Sequence, residues 1–170
     1  MIETEERCAP RKRRTPADLA RDIAQAGIGA DLVPMAVETP TVTAAAEALG
    51  VDPALIIKSL LFLVRDLPVL VIACGDERVE RESLAGRFSV GKKQIRLADA
   101  ATVVRITGYP AGGVPPVGQA TPTLTLLDKR VAAWDVVYGG GGDDHTLLRI
   151  TPGELARVTH AEWIDLTVRS

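Results

Sequence analysis

Between Gly108 and Gly118 the chain reads Gly-Tyr-Pro-Ala-Gly-Gly-Val-Pro-Pro-Val-Gly, and seven of these eleven residues are glycine or proline. Such a stretch cannot be an ordinary helix or a central strand, because proline lacks the N–H that both ladders need. It is a loop of specified shape: prolines fix φ, and glycines allow positive φ or a close backbone approach. Its main-chain N–H groups can turn outward and receive a ligand that carries negative charge. A turn with no ligand satisfies the same composition. A Walker-type phosphate loop is ruled out, since Gln119-Ala120 follow Gly118 where Lys-Ser/Thr is required.

Lys58 is the second residue with chemical potential. It stands between Ile56-Ile57 and Leu60-Leu61, where an ammonium is costly to bury. Either it points outward at the start of a strand, or it lines a cavity and meets an anion as a compact charge on a flexible stem. Gly139-Gly140-Gly141-Gly142 reads as a mobile connector or a wide hairpin loop, without the Gly-x-Gly-x-x-Gly spacing of a dinucleotide site. His145 follows that run after Asp143-Asp144. It is a surface histidine, or it orients a substrate amine or a water, or acts as a base. No Gly-x-Ser-x-Gly elbow, His-Glu-x-x-His or Cys-x-x-Cys occurs. An enzyme built on this chain is therefore expected to rely on main-chain donors and a positioned water, with no metal and no cofactor.

The totals bound the answer. At 170 residues one domain is expected, and 46% apolar residues suffice for a packed core. A net charge of −2 excludes a general polycation, so a nucleic-acid partner needs a local basic patch. The acidic Met1–Glu6 segment is not a secretory signal, no apolar run is long enough to span a membrane, and the two cysteines, Cys8 and Cys74, suggest no disulfide. A cytoplasmic location fits.

Elements that would position these residues can be read from caps and periodicity. Residues 1–14, with the basic run Arg11-Lys12-Arg13-Arg14, are expected to form a flexible tail, and 15–170 the domain. The run is either solvated or in contact with RNA. Thr15-Pro16-Ala17-Asp18 opens a helix that Gly27 stops, and a second helix runs from Thr41 to Leu49 before Gly50. A short third begins at Asp52-Pro53. Residues 58–64 and 69–74 are apolar runs of strand length separated by Arg65–Pro68, a buried hairpin. Residues 78–88 and 99–107 read as helices and 95–97 as a strand. Strands follow at 124–127, 136–138 and 146–150, then a capped helix from Thr151 to Thr159 and a last strand over 162–168. Mixed strands and helices without βαβ alternation make the fold class α+β, with a mixed sheet in a single compact domain.

Thr41–Gly50 (Thr-Val-Thr-Ala-Ala-Ala-Glu-Ala-Leu-Gly), Ile57-Lys58-Ser59-Leu60-Leu61-Phe62 and Thr107–Gly118 together resemble the YbaK/prolyl-tRNA synthetase-associated editing domain family over about residues 39–168. The resemblance implies a barrel-like mixed sheet flanked by helices. It also implies hydrolysis of mischarged tRNA by a free-standing domain acting in trans. Lys58 falls at the family's functional lysine, and Gly112-x-x-x-Pro116 at the signature that meets the substrate carbonyl. His145 falls where some relatives carry a histidine, and Thr39 and Thr41 enter the second helix near the site.

On this basis main-chain N–H groups at Gly112 and Gly113 are expected to receive the oxyanion. Lys58 would hold the phosphate or ribose of the terminal adenosine, while Thr41, Pro116 and His145 contact substrate. Relatives differ in whether they take Cys-, Ala- or other misacylated tRNA. Expected partners are mischarged tRNA and a prolyl-tRNA synthetase complex, not DNA or a membrane, with the oligomeric state open. Two other readings fit the same residues: an aminoacyl-tRNA or nucleotide-ligand binding module without catalysis, and a hydrolase of another small ester or thioester.

Overall fold

The computed structural model of the chain describes residues 12–166, 168 and 169. Helix α1, Pro16–Ala26, opens with a capping box: Asp18 N donates to Thr15 Oγ1, and the Asp18 carboxylate accepts from Thr15 N at 2.8 Å. Gly27 ends it in the left-handed region at φ 63°, and Leu19 and Ile23 form the buried face. Strand β1, Ala30–Pro34, follows. Asp31 and Pro34 masked it in the sequence; Pro34 is tolerated because β1 is a sheet edge. Helix α2, Val42–Leu49, is capped by Thr41 and closed by Gly50 at φ 68°.

Strands β2, Ile57–Val64, and β3, Leu67–Cys74, form the expected hairpin, joined through Arg65-Asp66. A two-residue strand β4, Arg78–Val79, precedes helix α3, Arg81–Phe88, so the helix expected over 78–88 begins later than its periodicity suggested. Strand β5, Ile95–Leu97, and helix α4, Ala100–Thr107, lead to Gly108, which stops the helix at φ 85°. Strands β6, Leu124–Asp128, β7, Val137–Gly140, and β8, Thr146–Ile150, are followed by helix α5, Pro152–Thr159. Strands β9, Glu162–Ile164, and β10, Val168–Arg169, divide the single last strand expected from the sequence.

The strands make three sheets. The largest is mixed, in the order β5-β2-β3-β6-β9, with β3–β6 and β6–β9 parallel and the other pairs antiparallel. A second sheet, β1-β8-β7, is antiparallel, and β4 pairs with β10. A parallel bridge between Ile56 and Tyr138 brings the first two together. The α+β class stands, but the barrel-like closure does not: three separate sheets with open edges replace a closed barrel. Core residues lie on both faces of the large sheet. Leu61, Leu70, Ile72 and Leu127 pack with Leu19, Leu148 and Leu155 on one face, while Val69, Val71 and Leu126 pack with Leu84 of α3 on the other.

Arg14, expected to lie in the tail, is held against the domain. Arg14 N donates to Gly108 O at 2.8 Å, its guanidinium lies 5.7 Å from the centre of the buried Tyr109 ring, and it pairs with Asp22. Met1–Arg11, with Cys8 and the first residue of the basic run, lie outside the described residues.

The four-glycine run is half strand and half hairpin loop, with Gly141 and Gly142 opening the β7–β8 connection. Gly139 and Gly140 belong to β7, and Gly142 N donates to Gly113 O at 2.9 Å. A Cβ on Gly140 would stand 2.5 Å from Val114 O, so β7 accepts the Gly/Pro loop only where it has no side chain. Gly140→Ala is therefore expected to destabilise the fold by about 1–3 kcal/mol, lowering the melting temperature by roughly 2–12 °C. A Cβ on Gly153, in α5, would have nothing within 4 Å, so Gly153→Ala should match or slightly exceed the parent. Thermal unfolding of both variants by circular dichroism checks the contrast, and equal melting temperatures would remove the close approach as a constraint.

Candidate functional site

Four segments enclose a cavity of about 250 Å³. Ile56 to Leu60, at the start of β2, form one side. Thr39 to Val42 and Ala45, around the start of α2, form another. Gly112 and Val114 come from the Gly/Pro loop, and Gly139, Gly140 and Leu147 close the back.

The loop's shape follows from one tight turn. Gly113 N donates to Pro110 O at 3.0 Å, and Gly112, third of the four residues, has φ 88°. Ala111 has no positive φ, so the turn is type II, which demands glycine at Gly112. Downstream, Gln119 Nε2 donates to Pro115 O at 2.6 Å, and Ala120 N donates to Thr107 O at 2.8 Å, tying the loop back to α4.

Lys58, Gly112 and Thr41 thus meet at one cavity, and Lys58 is the one charged side chain among the residues lining it. Its ammonium donates to Glu77 O, which lines a neighbouring pocket together with Asp76 and Arg130. Burial pushes the Lys58 ammonium below the ordinary lysine range, and Asp76 partly offsets this. Behind Glu77, Arg130 pairs with the Glu77 carboxylate and, at 2.7 Å, with Asp128, which is 1% exposed. Cys74 Sγ lies 3.9 Å from the same carboxylate, and burial raises the thiol's pKa, so it stays protonated. This ion-paired group anchors the end of β3 beneath Lys58.

Other expected site residues sit elsewhere. Gly113 is buried and its N–H is consumed by the turn, so it is not a second donor to the cavity. Pro116 is buried beside Gly139, where a Cβ would lie 3.3 Å from its Cδ; it shapes the loop and does not line the cavity. His145 is exposed, with Nδ1 2.7 Å from Asp144 Oδ1, and it does not line the cavity. Its segment contributes main chain instead: Met35 N donates to His145 O at 2.7 Å, and Thr39 N to Asp144 O at 2.6 Å. These bonds hold the strand-to-helix segment that delivers Thr41. Thr41 Oγ1 accepts from Ala44 N at 3.1 Å as the cap of α2, leaving its hydroxyl proton free to donate.

Sequence reasoning missed the apolar lining of Val42, Ala45, Ile56, Leu60 and Leu147. Each reads as ordinary core, and only the fold shows that they share a wall. It also missed Glu77, which acts through its carbonyl and leaves no side-chain signal.

These features define a class: a small α+β domain with a largely apolar cavity whose lining includes one lysine and a glycine turn. The aminoacyl-tRNA editing domain family matches residues 36–158, and the chain belongs to that family. An uncharacterised protein of Bacillus subtilis, YwhH, is 29% identical over 138 residues, 80% of this chain and 86% of the relative. The proline–tRNA ligase of Lactobacillus gasseri is 33% identical over 106 residues, which is 62% of this chain but 18% of the ligase.

Among solved structures, the hypothetical protein APE2540 superposes with a TM-score of 0.80 at 35% identity, over 88% of this chain and 98% of its own. A candidate trans-editing enzyme for prolyl tRNA synthetase superposes with a TM-score of 0.82 at 30% identity, over 89% and 96%. Among the described residues no helix is long and apolar enough to cross a membrane.

The environment of Lys58 makes a testable claim. Its ammonium should titrate below the ordinary lysine value, and Asp76→Asn should lower it further by removing a charge that favours the protonated form. NMR titration of the lysine side chain in both proteins measures this. A parent Lys58 titrating like an exposed lysine would place it outside the cavity wall.

Proposed function

We propose that this protein hydrolyses the ester of mischarged tRNA, acting in trans as a free-standing deacylase on a small amino acid. The observation that carries this reading is the convergence of Lys58, Gly112 and Thr41 on one cavity of about 250 Å³ with apolar walls. That volume suits a small aminoacyl group. The ester is already activated, so a positioned water suffices as nucleophile. Charge develops on the carbonyl oxygen in the tetrahedral intermediate, and Gly112 N–H, without a hydrogen-bond partner among the described residues, is the donor that meets it.

Lys58 supplies a cation for the phosphate or ribose of the terminal adenosine. Its role is to position, because a protonated amine held by Glu77 O cannot take a proton from water. Discrimination rests on the apolar walls, where one methylene is worth about 1–3 kcal/mol, so closely related side chains overlap as substrates. Cys- and Ala-tRNA are the leading candidates. Similarity to part of the proline–tRNA ligase supports a link to that synthetase's errors.

A second reading, binding aminoacyl-tRNA without hydrolysis, draws support from one feature: the turn offers a single donor, since Gly113 N–H is engaged. A panel of mischarged tRNAs, including Cys-, Ala- and Ser-tRNA, separates the two. Hydrolysis of at least one, faster than its spontaneous rate, supports the deacylase; tight retention with no release of amino acid supports the binder. In the deacylase, Lys58→Ala should lower kcat/KM by about 100-fold or more with the fold intact. His145→Ala should stay within about threefold of the parent, because its side chain is outside the cavity. Equal losses in the two variants would overturn this assignment of roles.

A further inference from the structure

The cavity must accommodate more than an ester. An aminoacyl group carries an α-ammonium, and a cation brought into a small apolar cavity needs an acceptor. Among the described residues no Asp or Glu lines this one, and the charged residue in its lining, Lys58, repels an ammonium. The acceptor must be main chain or hydroxyl. Both threonine hydroxyls are partly committed, Thr41 Oγ1 as acceptor from Ala44 N and Thr39 Oγ1 as donor to Asp144 O at 3.3 Å, and keep only remaining lone pairs on neutral oxygens. Val114 O is aimed at the Cα of Gly140, in the close approach between loop and strand.

The hydrogen-bond pattern of β2 points to a main-chain acceptor. In an antiparallel pair, successive residues turn their N–H and C=O alternately toward and away from the partner strand. Gly75 N donates to Ile56 O at 2.9 Å, so even-numbered residues face β3. Ala98 N donates to Leu61 O at 2.8 Å, and Arg65 N donates to Gln94 O at 2.7 Å, so odd-numbered residues face the opposite edge. Along that edge β5 pairs only with residues 62–64, and the bridge to Tyr138 occurs at Ile56. Between these points, where β2 lines the cavity, no strand among the described residues pairs with that edge. Ser59 lies there and turns its main-chain N–H and C=O outward. Its Oγ is buried, yet the residue as a whole is partly exposed, so the surface it shows belongs to the rest of the residue.

We infer that the uncovered edge of β2 is the recognition site for the substrate's α-amino group, with Ser59 C=O as the acceptor. The inference rests on the cavity being the aminoacyl site, as proposed above. The mode is that of an extended peptide added to a sheet edge, shortened to one residue. With the ester carbonyl at Gly112 N–H and the ammonium at Ser59 O, the side chain is left to the apolar wall of Val42, Ala45 and Leu147. A free amino acid ester is then distinguished from an N-blocked one by main chain, which no side-chain motif would reveal.

Two non-hydrolysable adenosines test this: one carrying a 3′-alanylamino group, the other a 3′-propionylamino group, nearly equal in size but without the ammonium. The alanyl compound should bind at least about tenfold more tightly, since a charged hydrogen bond is at stake. It should also shift the Ser59 carbonyl ¹³C resonance, which the propionyl compound should leave in place. Equal affinities, or a carbonyl shift at another residue alone, overturn the inference. Hydrolysis of a panel tRNA combined with equal analogue affinities sinks the inference and leaves the proposed activity standing. Failure of both compounds to bind at millimolar concentration removes the cavity as the aminoacyl site, and the inference with it.

Discussion

A backbone-to-backbone contact sets the geometry of this molecule. Strand β7 runs so close to the Gly/Pro loop that a single methyl on Gly140 would press on Val114 O at 2.5 Å, and one on Gly113 would stand 3.2 Å from the main chain of Asp143. Only glycine permits two strands of main chain to meet without side chains between them. Because they meet, the loop is seated against the β1-β8-β7 sheet, and Gly112 of its type II turn lines the same cavity as Lys58. Hydrogen bonds from Gly142 N to Gly113 O and from Gly141 N to Thr146 O lock the seat. The cavity is the space left where the loop, β7 and the bare edge of β2 fail to close on one another.

The elements were largely legible in the sequence because caps and periodicity are local. Thr15, Thr41, Asp99 and Thr151 each cap a helix, and Gly27, Gly50 and Gly108 each end one in the left-handed region. Strands were harder where the local signal was diluted. Ala30–Pro34 holds an aspartate and a proline and is a strand only because β8 pairs with it residue by residue. The glycine run was only half legible for a related reason: glycine signals freedom when read alone, whereas here Gly139, Gly140 and Gly142 are fixed by neighbours distant in sequence, and Gly141 by Thr146 across the hairpin. Of the site, Lys58 and Gly112 carried a signal. Gly113 and His145 lie off the cavity lining: a turn uses the Gly113 N–H, and Asp144 holds His145 Nδ1 at the surface.

The N-terminal segment shows how a residue remote from the cavity can serve it. Arg14 lies outside the span that matches the editing-domain family, yet it caps the start of the loop through Gly108 O and stacks on Tyr109. Tyr109 is fully buried, and its hydroxyl accepts from Arg14 Nε at 3.2 Å while Asp22 takes the remaining guanidinium charge. The buried phenol is thereby satisfied, and one end of the loop is fixed to α1. The far end is fixed through Gln119 and Ala120. A loop of eleven residues held at both ends and pressed against β7 has little freedom, which is what a preorganised donor at Gly112 requires.

The choice of lysine at residue 58 follows from the charges behind it. Arg130 already satisfies Asp128 and Glu77, so the group beneath the cavity is paired before Lys58 is counted. Lys58 therefore meets a carbonyl, Glu77 O, not a carboxylate, and its charge is only weakly compensated. An ammonium in that condition costs energy to bury, which is why its pKa falls, and the same cost is recovered when an anion arrives. A guanidinium would demand more acceptors than one carbonyl provides. A flexible stem ending in a single compact charge can rest on Glu77 O and, under the activity proposed above, would be free to swing to a phosphate of the substrate.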